Sequence, residues 1–502
     1  MKKYYLIFIL LFTSICFAQT DGSLDTTFGS GGIVVNDAYT STGADLAILN
    51  NGNILVAGYL SSITLRRYNP DGTPDTTFTP VNSGVFGGVS SMVLQPDQKI
   101  LVSGLSSSLT GFIIRYNSDG TLDNNFGIGG IVNTGFYNIT KIKFNSVTNK
   151  IVVGAVTRVG TNDYFSIGCY NSNGSIDTTF NNNGVLTFPT AYSFPKISDI
   201  KFDSSNRIIA CGSYHFDSNY YSSFATDNFL CRVNNDGTLD NSFSDDGILI
   251  VDKGTYNSEK FNESNAIILK SNGSILIAGT IGTDPSSGRN FSLYEVNSNG
   301  ILTSPNMPLQ FNVVNSKSDI ASSMAVDNFG KIILAGKSGN GSLQNSFSLL
   351  RLNSDYTVDT TFGTNGVVTT FSELNNNRLY NIAIQPDNKI VAIGTIKLGS
   401  NASFQDKMCL VRYLGTAALG NSQFNNNEFQ IYPNPVSTKL NLQVSSISNN
   451  NYNYEISDIN GRILIKGFIE HENSVIDLEN LSKGIYIIKT SNCPTPKKII
   501  KE

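Results

Sequence analysis

Carboxylates recur in this chain at fixed spacing, where they could hold a cation, pair with arginine or shape a turn. The element Asp21-Gly22-Ser23-Leu24-Asp25-Thr26-Thr27-Phe28 returns as DGTPDTTF at 71–78, DGTLDNNF at 119–126, NGSIDTTF at 173–180 and DGTLDNSF at 236–243. A worn NGILTSPN follows at 299–306, and the last copy is DYTVDTTF at 355–362. Calcium wants more oxygen ligands than two Asp four apart supply, so metal binding is not expected. The Asp-Gly pair reads as a turn. The second Asp (Asp25, Asp75, Asp123, Asp177, Asp240, Asp359) is placed to accept from the following backbone, and the Phe to wedge between neighbouring units. Arg67, Arg115, Arg232, Arg351 and Arg412 precede these turns, and where the worn copy has Thr303 the Arg position holds Glu295. That joint change predicts Arg–Asp pairs, such as Arg115 with Asp123 and Arg412 with Asp25. A ring of Arg for an anionic ligand is the rival reading.

A second chemistry-bearing group is the loop 213–228, with Tyr214, His215, Phe216, Asp217, Tyr220, Tyr221 and Phe224; Tyr256 follows at 253–264. Aromatic rings beside Asp and Asn can stack on and hydrogen-bond a sugar. Tyr214, His215, Asp217, Tyr220, Tyr221 and Tyr256 are therefore the candidate ligand-binding residues. The same rings could instead pack on one another to hold the loop down. No catalytic residue, metal site or cofactor is assigned. His215 is the only His before the C-terminal segment, and no Gly-x-Ser-x-Gly elbow, zinc spacing or phosphate loop occurs. Carboxylates converging from distant units leave no local motif, so glycoside chemistry stays open. Sialidase-type Asp boxes need Trp, and the chain has none.

Seven short units must position these residues. Each runs strand, tight turn, strand, variable loop, strand, Asp-Gly turn and fourth strand, over 48 to 63 residues. The second strands are 54–58, 100–104, 151–154, 208–212, 275–279, 332–336 and 390–394. Four strands on that period is the spacing of a propeller blade. The seventh unit stops at Leu414 without its Asp-Gly turn or fourth strand, and the fragment 21–35 is that missing part. It is expected to lie beside the last unit and close the ring, removing an exposed edge. The short turns share one face; the variable loops share the other, where binding is expected. The DGTLDxxF core and the Gly-Ile-Val strand resemble the delta-60 repeat family of bacterial exported proteins across 21–414. That resemblance implies a propeller and no settled activity.

Composition agrees with export and turns. Of 502 residues, 45 are Gly, 14 Pro and only 15% charged, and the net charge of −4 offers no basic patch for nucleic acid. Lys2 and Lys3, the apolar run Tyr4–Phe17 and Ala18 form a secretory signal peptide over 1–18, too short to span a bilayer. Nothing later is apolar enough to cross one. Cys169, Cys211, Cys231, Cys409 and Cys493 are an odd, scattered set. Cys211 and Cys231 sit on adjacent strands and could pair, although buried thiols are the commoner use.

The Asn-rich stretch within 415–428 is a linker, and residues 429–502 differ in kind. Tyr432-Pro433-Asn434-Pro435 reads as a rigid extended lead into a strand. Asp458, Gly461 and Arg462 frame a hairpin turn, Leu478 through Gly484 and Tyr486 form an LxxLxKGIY element, and a basic tail ends the chain. These residues resemble the type A C-terminal sorting domain of the bacterial type IX secretion system of the Bacteroidetes. The resemblance implies a small β-sandwich read by the secretion machinery.

The expected architecture is all-β: a seven-bladed β-propeller over 19–414, closed by an N-terminal strand, plus a small C-terminal β-sandwich. The expected function is a non-catalytic binding or adhesion module for glycans or surface proteins, secreted or on the outer cell surface. A polysaccharide-active hydrolase or lyase with carboxylates in the propeller mouth is the alternative.

Overall fold

The computed structural model describes residues 20–36, 42–59, 62–188, 193–215, 226–251, 261–282, 288–303, 308–313, 318–339, 345–371, 377–398, 405–416, 429–444, 452–459, 461–469, 473–490 and 493–502. The expected signal peptide and most of the expected linker lie outside them. The chain divides into two compact units, Met1–Ala417 and Ala418–Glu502.

The first unit is built of antiparallel meanders. Alternation puts one side chain in two on each face, and the second and third strands are buried on both. Ile100–Ser106 begins with five buried residues and Gly111–Tyr116 is buried throughout. Such strands sit between neighbours that cover both faces. The order in the second repeat is Gly87–Leu94, Ile100–Ser106, Gly111–Tyr116, Ile131–Asn133. The last repeat uses Arg378–Ile384, Ile390–Leu398 and Gln405–Tyr413, and its fourth strand is Ile33–Val35. Ile33 pairs with Val411, Val34 with Leu410 and Val35 with Cys409. The first repeat departs from the expected script. It has three strands, ending at Ile63–Tyr68. Asn82-Ser83-Gly84 stands where the second repeat carries Gly130-Ile131-Val132, so the apolar pair of the fourth strand is missing, and the Val81 N–H bonds the Gly120 carbonyl of the next repeat.

Each first strand carries a β-bulge. Ala44, Ser90, Thr140, Ser198, Asn265, Ser322 and Tyr380 have no partner across the ladder. The bulge presses backbone against the glycine that ends the repeated second-strand motif. A methyl group on Gly279 would overlap the Glu263 carbonyl, and one on Gly336 the Ile320 carbonyl. Gly279→Ala is expected to lose about 2–3 kcal/mol, read as a lower denaturant midpoint with unchanged slope.

The Asp-Gly turns stitch neighbours together. Asp75 Oδ1 accepts from the Thr77 N–H (2.9 Å) and hydroxyl (2.6 Å), while its Oδ2 accepts from Arg67 Nε at 2.6 Å. The same pairs are Arg115–Asp123 (2.7 Å), Arg232–Asp240 (2.7 Å), Arg351–Asp359 (2.8 Å) and Arg412–Asp25 (2.8 Å). Each guanidinium also lies over its turn's Phe, at 4.5–4.8 Å from Phe78, Phe126, Phe243, Phe362 and Phe28. The arginines are structural, as the joint change in the worn copy implied. The Phe rings are the expected wedges: Phe28 lies under Gly72, Phe78 under Gly120 and Phe126 under Gly174, so close that an added Cβ would meet the ring.

The worn copy is repaired in place. Glu295 pairs with Lys270 at 3.0 Å and accepts from the Tyr356 hydroxyl. Tyr356 replaces the turn glycine of the next copy at φ 70°, and its ring packs on the neighbouring core with Lys270 5.5 Å from its centroid. Cys169, in the Arg position of the third repeat, lies 3.8 Å from Asp177, and burial with that carboxylate pushes its thiol up to about 12. Cys211 and Cys231 are free. Ala210 pairs with Cys231 and Cys211 with Leu230, so the two thiols lie on opposite faces of their sheet.

In the second unit one sheet joins Phe429–Tyr432, Lys439–Val444 and Asn473–Asp477, and another joins Ile463–Ile469, Tyr452–Asp458, Gly484–Thr490 and Cys493–Lys501. Leu440, Leu442 and Ile476 of the first share a core with Ile456, Ile488 and Ile499 of the second.

Candidate functional site

The bulges face one cavity of about 500 Å³, to which every first strand of the repeats contributes lining. All of the unpaired bulge residues line it. Hydrogen bonds run around it from repeat to repeat. The Asp45 carboxylate accepts from Met92 N (2.9 Å) and Ser91 Oγ (3.2 Å) in the second repeat, and from Asn381 Nδ2 (2.6 Å) in the last. Thr140 Oγ1 donates to the Ile197 carbonyl (2.7 Å), Asn265 Nδ2 to the Ala321 carbonyl (2.9 Å) and Ser323 Oγ to Asn381 Oδ1 (2.7 Å).

One side of this cavity is basic. Lys141 and Lys143 of the third repeat and Lys201 of the fourth reach the Asp199 carboxylate at 3.8, 3.8 and 3.4 Å. Lys196 lines the same wall. Burial alone would raise the Asp199 carboxyl, but Lys201, Lys143 and Lys141, with the Ile267 N–H, hold it at about 2. Lys143 goes the other way. Burial, reinforced by Lys141 and Lys201, outweighs Asp199 and pulls it down to about 8. Three cations therefore share one carboxylate within 4 Å, with Asp45 adding a weaker attraction on Lys141 and Lys143, and at Lys143 the repulsion is only partly relieved.

Of the residues predicted to bind a ligand, only the Tyr214 side chain falls among the described residues. Tyr214 is buried, 5% exposed, edge-on to Phe165 in the core between the third and fourth repeats. His215 pairs through its backbone with Thr226, and its side chain lies outside the described residues, as do Asp217, Tyr220, Tyr221 and Tyr256. The lysines went unread although KIKF at 141–144 and KISDIKF at 196–202 show them at adjacent repeats. A strand lining an internal polar cavity alternates just like one facing bulk solvent.

The C-terminal motifs are turn-makers and clips. Asn434 donates to the Lys498 carbonyl (2.7 Å) and accepts from Ile500 N (2.8 Å), fastening the last strand. Residues 433–435 bend between strands Phe429–Tyr432 and Lys439–Val444, so the YPNP stretch does not run extended as expected. Asp458 Oδ1 accepts from Arg462 N (3.0 Å) around Gly461 at φ 84°, and Tyr486 donates to the Ser482 carbonyl (2.7 Å). Residues 430–502 match the secretion system C-terminal sorting domain. This unit is a type IX sorting domain. It marks the chain for handling by the type IX secretion machinery and for export to the cell surface or the medium.

Ahead of the sorting domain, residues 49–78, 95–126, 148–180, 204–243 and 330–362 match a β-propeller domain of unknown function (DUF5122), so the chain carries a propeller repeat region. No curated protein matched the chain. Among solved structures it is similar to PorZ, a surface component of the type IX secretion system of Porphyromonas gingivalis, at 11% identity and TM-score 0.34, covering 91% of this chain and 66% of that one. It is also similar to prolyl oligopeptidase B of Galerina marginata (10%, TM-score 0.42, 81% and 56%) and to a gluconolactonase of Xanthomonas campestris (8%, TM-score 0.33, 76% and 89%). The chain thus spans just under two thirds of PorZ and just over half of the oligopeptidase. No helix among the described residues is long and apolar enough to cross a membrane.

Proposed function

We propose that this is a seven-bladed propeller, closed by strand Ile33–Val35 and carried out of the cell by a β-sandwich sorting domain, and that it is a non-catalytic binding module. Its ligands are glycans or surface proteins. The observation that carries this reading is the polar cavity shared by the first strand of every repeat. A rigid ring presenting a pre-formed polar hollow suits recognition without motion. A hydrolase or lyase needs a carboxyl poised to give up or take a proton near neutrality. Of the three carboxylates in the lining, Asp199 is held ionised by lysines and Asp45 is committed to hydrogen bonds between repeats, which leaves Glu263 without a second carboxyl to work with. The test is a glycan and polysaccharide screen on the purified secreted protein, with release of reducing ends followed alongside. Binding without turnover is expected. Reducing ends that rise in proportion to protein would instead support the hydrolase, and unsaturated products the lyase.

A further inference from the structure

The lysine wall has more charge than its own carboxylate balances. Lys141, Lys143 and Lys201 converge on the Asp199 carboxylate, with side chains 19%, 25% and 37% exposed, and the next carboxylate, Asp45, acts on Lys141 and Lys143 only as the weaker attraction. Structural lysines elsewhere behave differently. Lys99, Lys150 and Lys331 each sit within 2.8 Å of one turn Asp, completing a grip whose other partners are fixed. At the axis the separations are longer, and Asp199 spends its remaining capacity on the Ile200 and Ile267 N–H groups at 2.9 and 3.2 Å. Lys143, drawn down by burial and like charge, would gain most from a second anion beside it. Hydroxyls of Ser198 and Thr140 stand in the same lining.

Building on the binding-module reading, we propose that the axial cavity takes an oxyanion group, the sulfate ester of a sugar or free sulfate, between Lys143 and Lys201. Charge-assisted contacts to these two ammonium groups supply affinity, and the surrounding hydroxyls accommodate the rest of the ligand.

Calorimetry on the full secreted chain at pH 6.5 and low salt tests this, with sodium sulfate, a monosulfated disaccharide and the unsulfated parent as probes. The sulfated sugar is expected to bind at least about tenfold more tightly than its parent. Lys143→Gln combined with Lys201→Gln should weaken it by a similar factor. Asp199→Asn, which removes the resident competitor, should tighten it. Lys466→Gln, in the sorting domain, should change nothing. Equal affinity for sulfate and sulfated sugar assigns the site to the free ion; tighter binding of the sugar assigns it to a glycan. Unfolding midpoints show whether each variant is folded, and the opposite signs expected for the lysine and Asp199 variants cannot both arise from damage. Unchanged sulfate affinity in a folded lysine double variant overturns the proposal. Neutral glycan binding that ignores the lysines also overturns it while leaving the binding module intact. Silence toward every glycan and anion sinks both.

Discussion

Deleting residues 20–36 is expected to leave a chain that aggregates on release from denaturant. Several contributions disappear together. Phe28 is fully buried beneath Gly72, and removing a buried Phe costs about 3–5 kcal/mol. Asp25 is the partner of Arg412, and orphaning a buried guanidinium costs a similar amount. Strand Gln405–Tyr413 then loses its cover, exposing unpaired N–H and C=O groups that template association. These losses rival the roughly 5–15 kcal/mol that hold a typical domain together. Sedimentation and limited proteolysis of the deletion variant measure the outcome. A soluble, protease-resistant chain with its original unfolding midpoint would show that the segment is an ornament.

Arg351→Met is expected to be the most damaging single change among the turn arginines, at about 3–5 kcal/mol. Its side chain is 1% exposed and joins three parts of the chain. Nε holds Asp359 at 2.8 Å, one terminal nitrogen reaches Asp21 at 2.8 Å, and the other donates to Thr416 at 2.8 Å. The substitution leaves the Asp359 carboxylate with Lys331 alone at its Oδ2. Adding Asp359→Asn should recover part of the loss, because the buried charge goes with its partner. Arg67→Met should cost distinctly less, since that side chain is 19% exposed and water can replace its contacts. Denaturant midpoints for the variants give the ranking, and Arg67 costing as much as Arg351 would refute it. The grips are robust to mild acid. Asp75 and Asp240 sit at about 2, depressed at Asp75 chiefly by the Thr77 hydroxyl and at Asp240 by Ser242 and Arg232 against the opposing pull of burial. Their contribution is intact above the ordinary carboxylate value of 3.8 and fades as pH falls toward 2.

The parts of this fold that were legible in the sequence are local and repeated. The Arg–Asp pairs lie eight residues apart in four copies, and the worn copy changed both members at once, so pairing could be read without coordinates. The orphan strand at the beginning was legible because one repeat lacked just that piece. What escaped is non-local. Five of the six turn Asp residues take a cation from the residue at the start of the second strand: Lys99 for Asp123, Lys150 for Asp177, Arg207 for Asp240, Lys331 for Asp359 and Lys389 for Asp25, while Asn53 takes that place at Asp75. A lysine beside a tight turn looks like any solvated surface charge. The lysines around Asp199 come from two repeats, and no spacing rule links them. The missing fourth strand of the first repeat was visible in Asn82-Ser83-Gly84, which lacks an apolar pair, yet four strands were expected there as in the other copies. Tyr214 takes the packing alternative, because an aromatic ring at a strand end can turn into the core as readily as toward a ligand.

The pairing of the two ends of the propeller region can be tested with one substitution. Val35 lies opposite Cys409, a native free thiol. The flanking pairs, Gly32 with Arg412 and Asn36 with Met408, carry the ladder hydrogen bonds. Val35 and Cys409 therefore fall in the closer, non-hydrogen-bonded class, about 4.5 Å between Cα atoms, within disulfide reach. Peptide mass spectrometry of oxidised Val35→Cys should find residues 35 and 409 joined within one chain, and the neighbouring Val34→Cys should leave Cys409 free. A Val35→Cys protein that stays reduced at Cys409, or that links only to a second copy, would contradict a ring sealed by the start of its own chain.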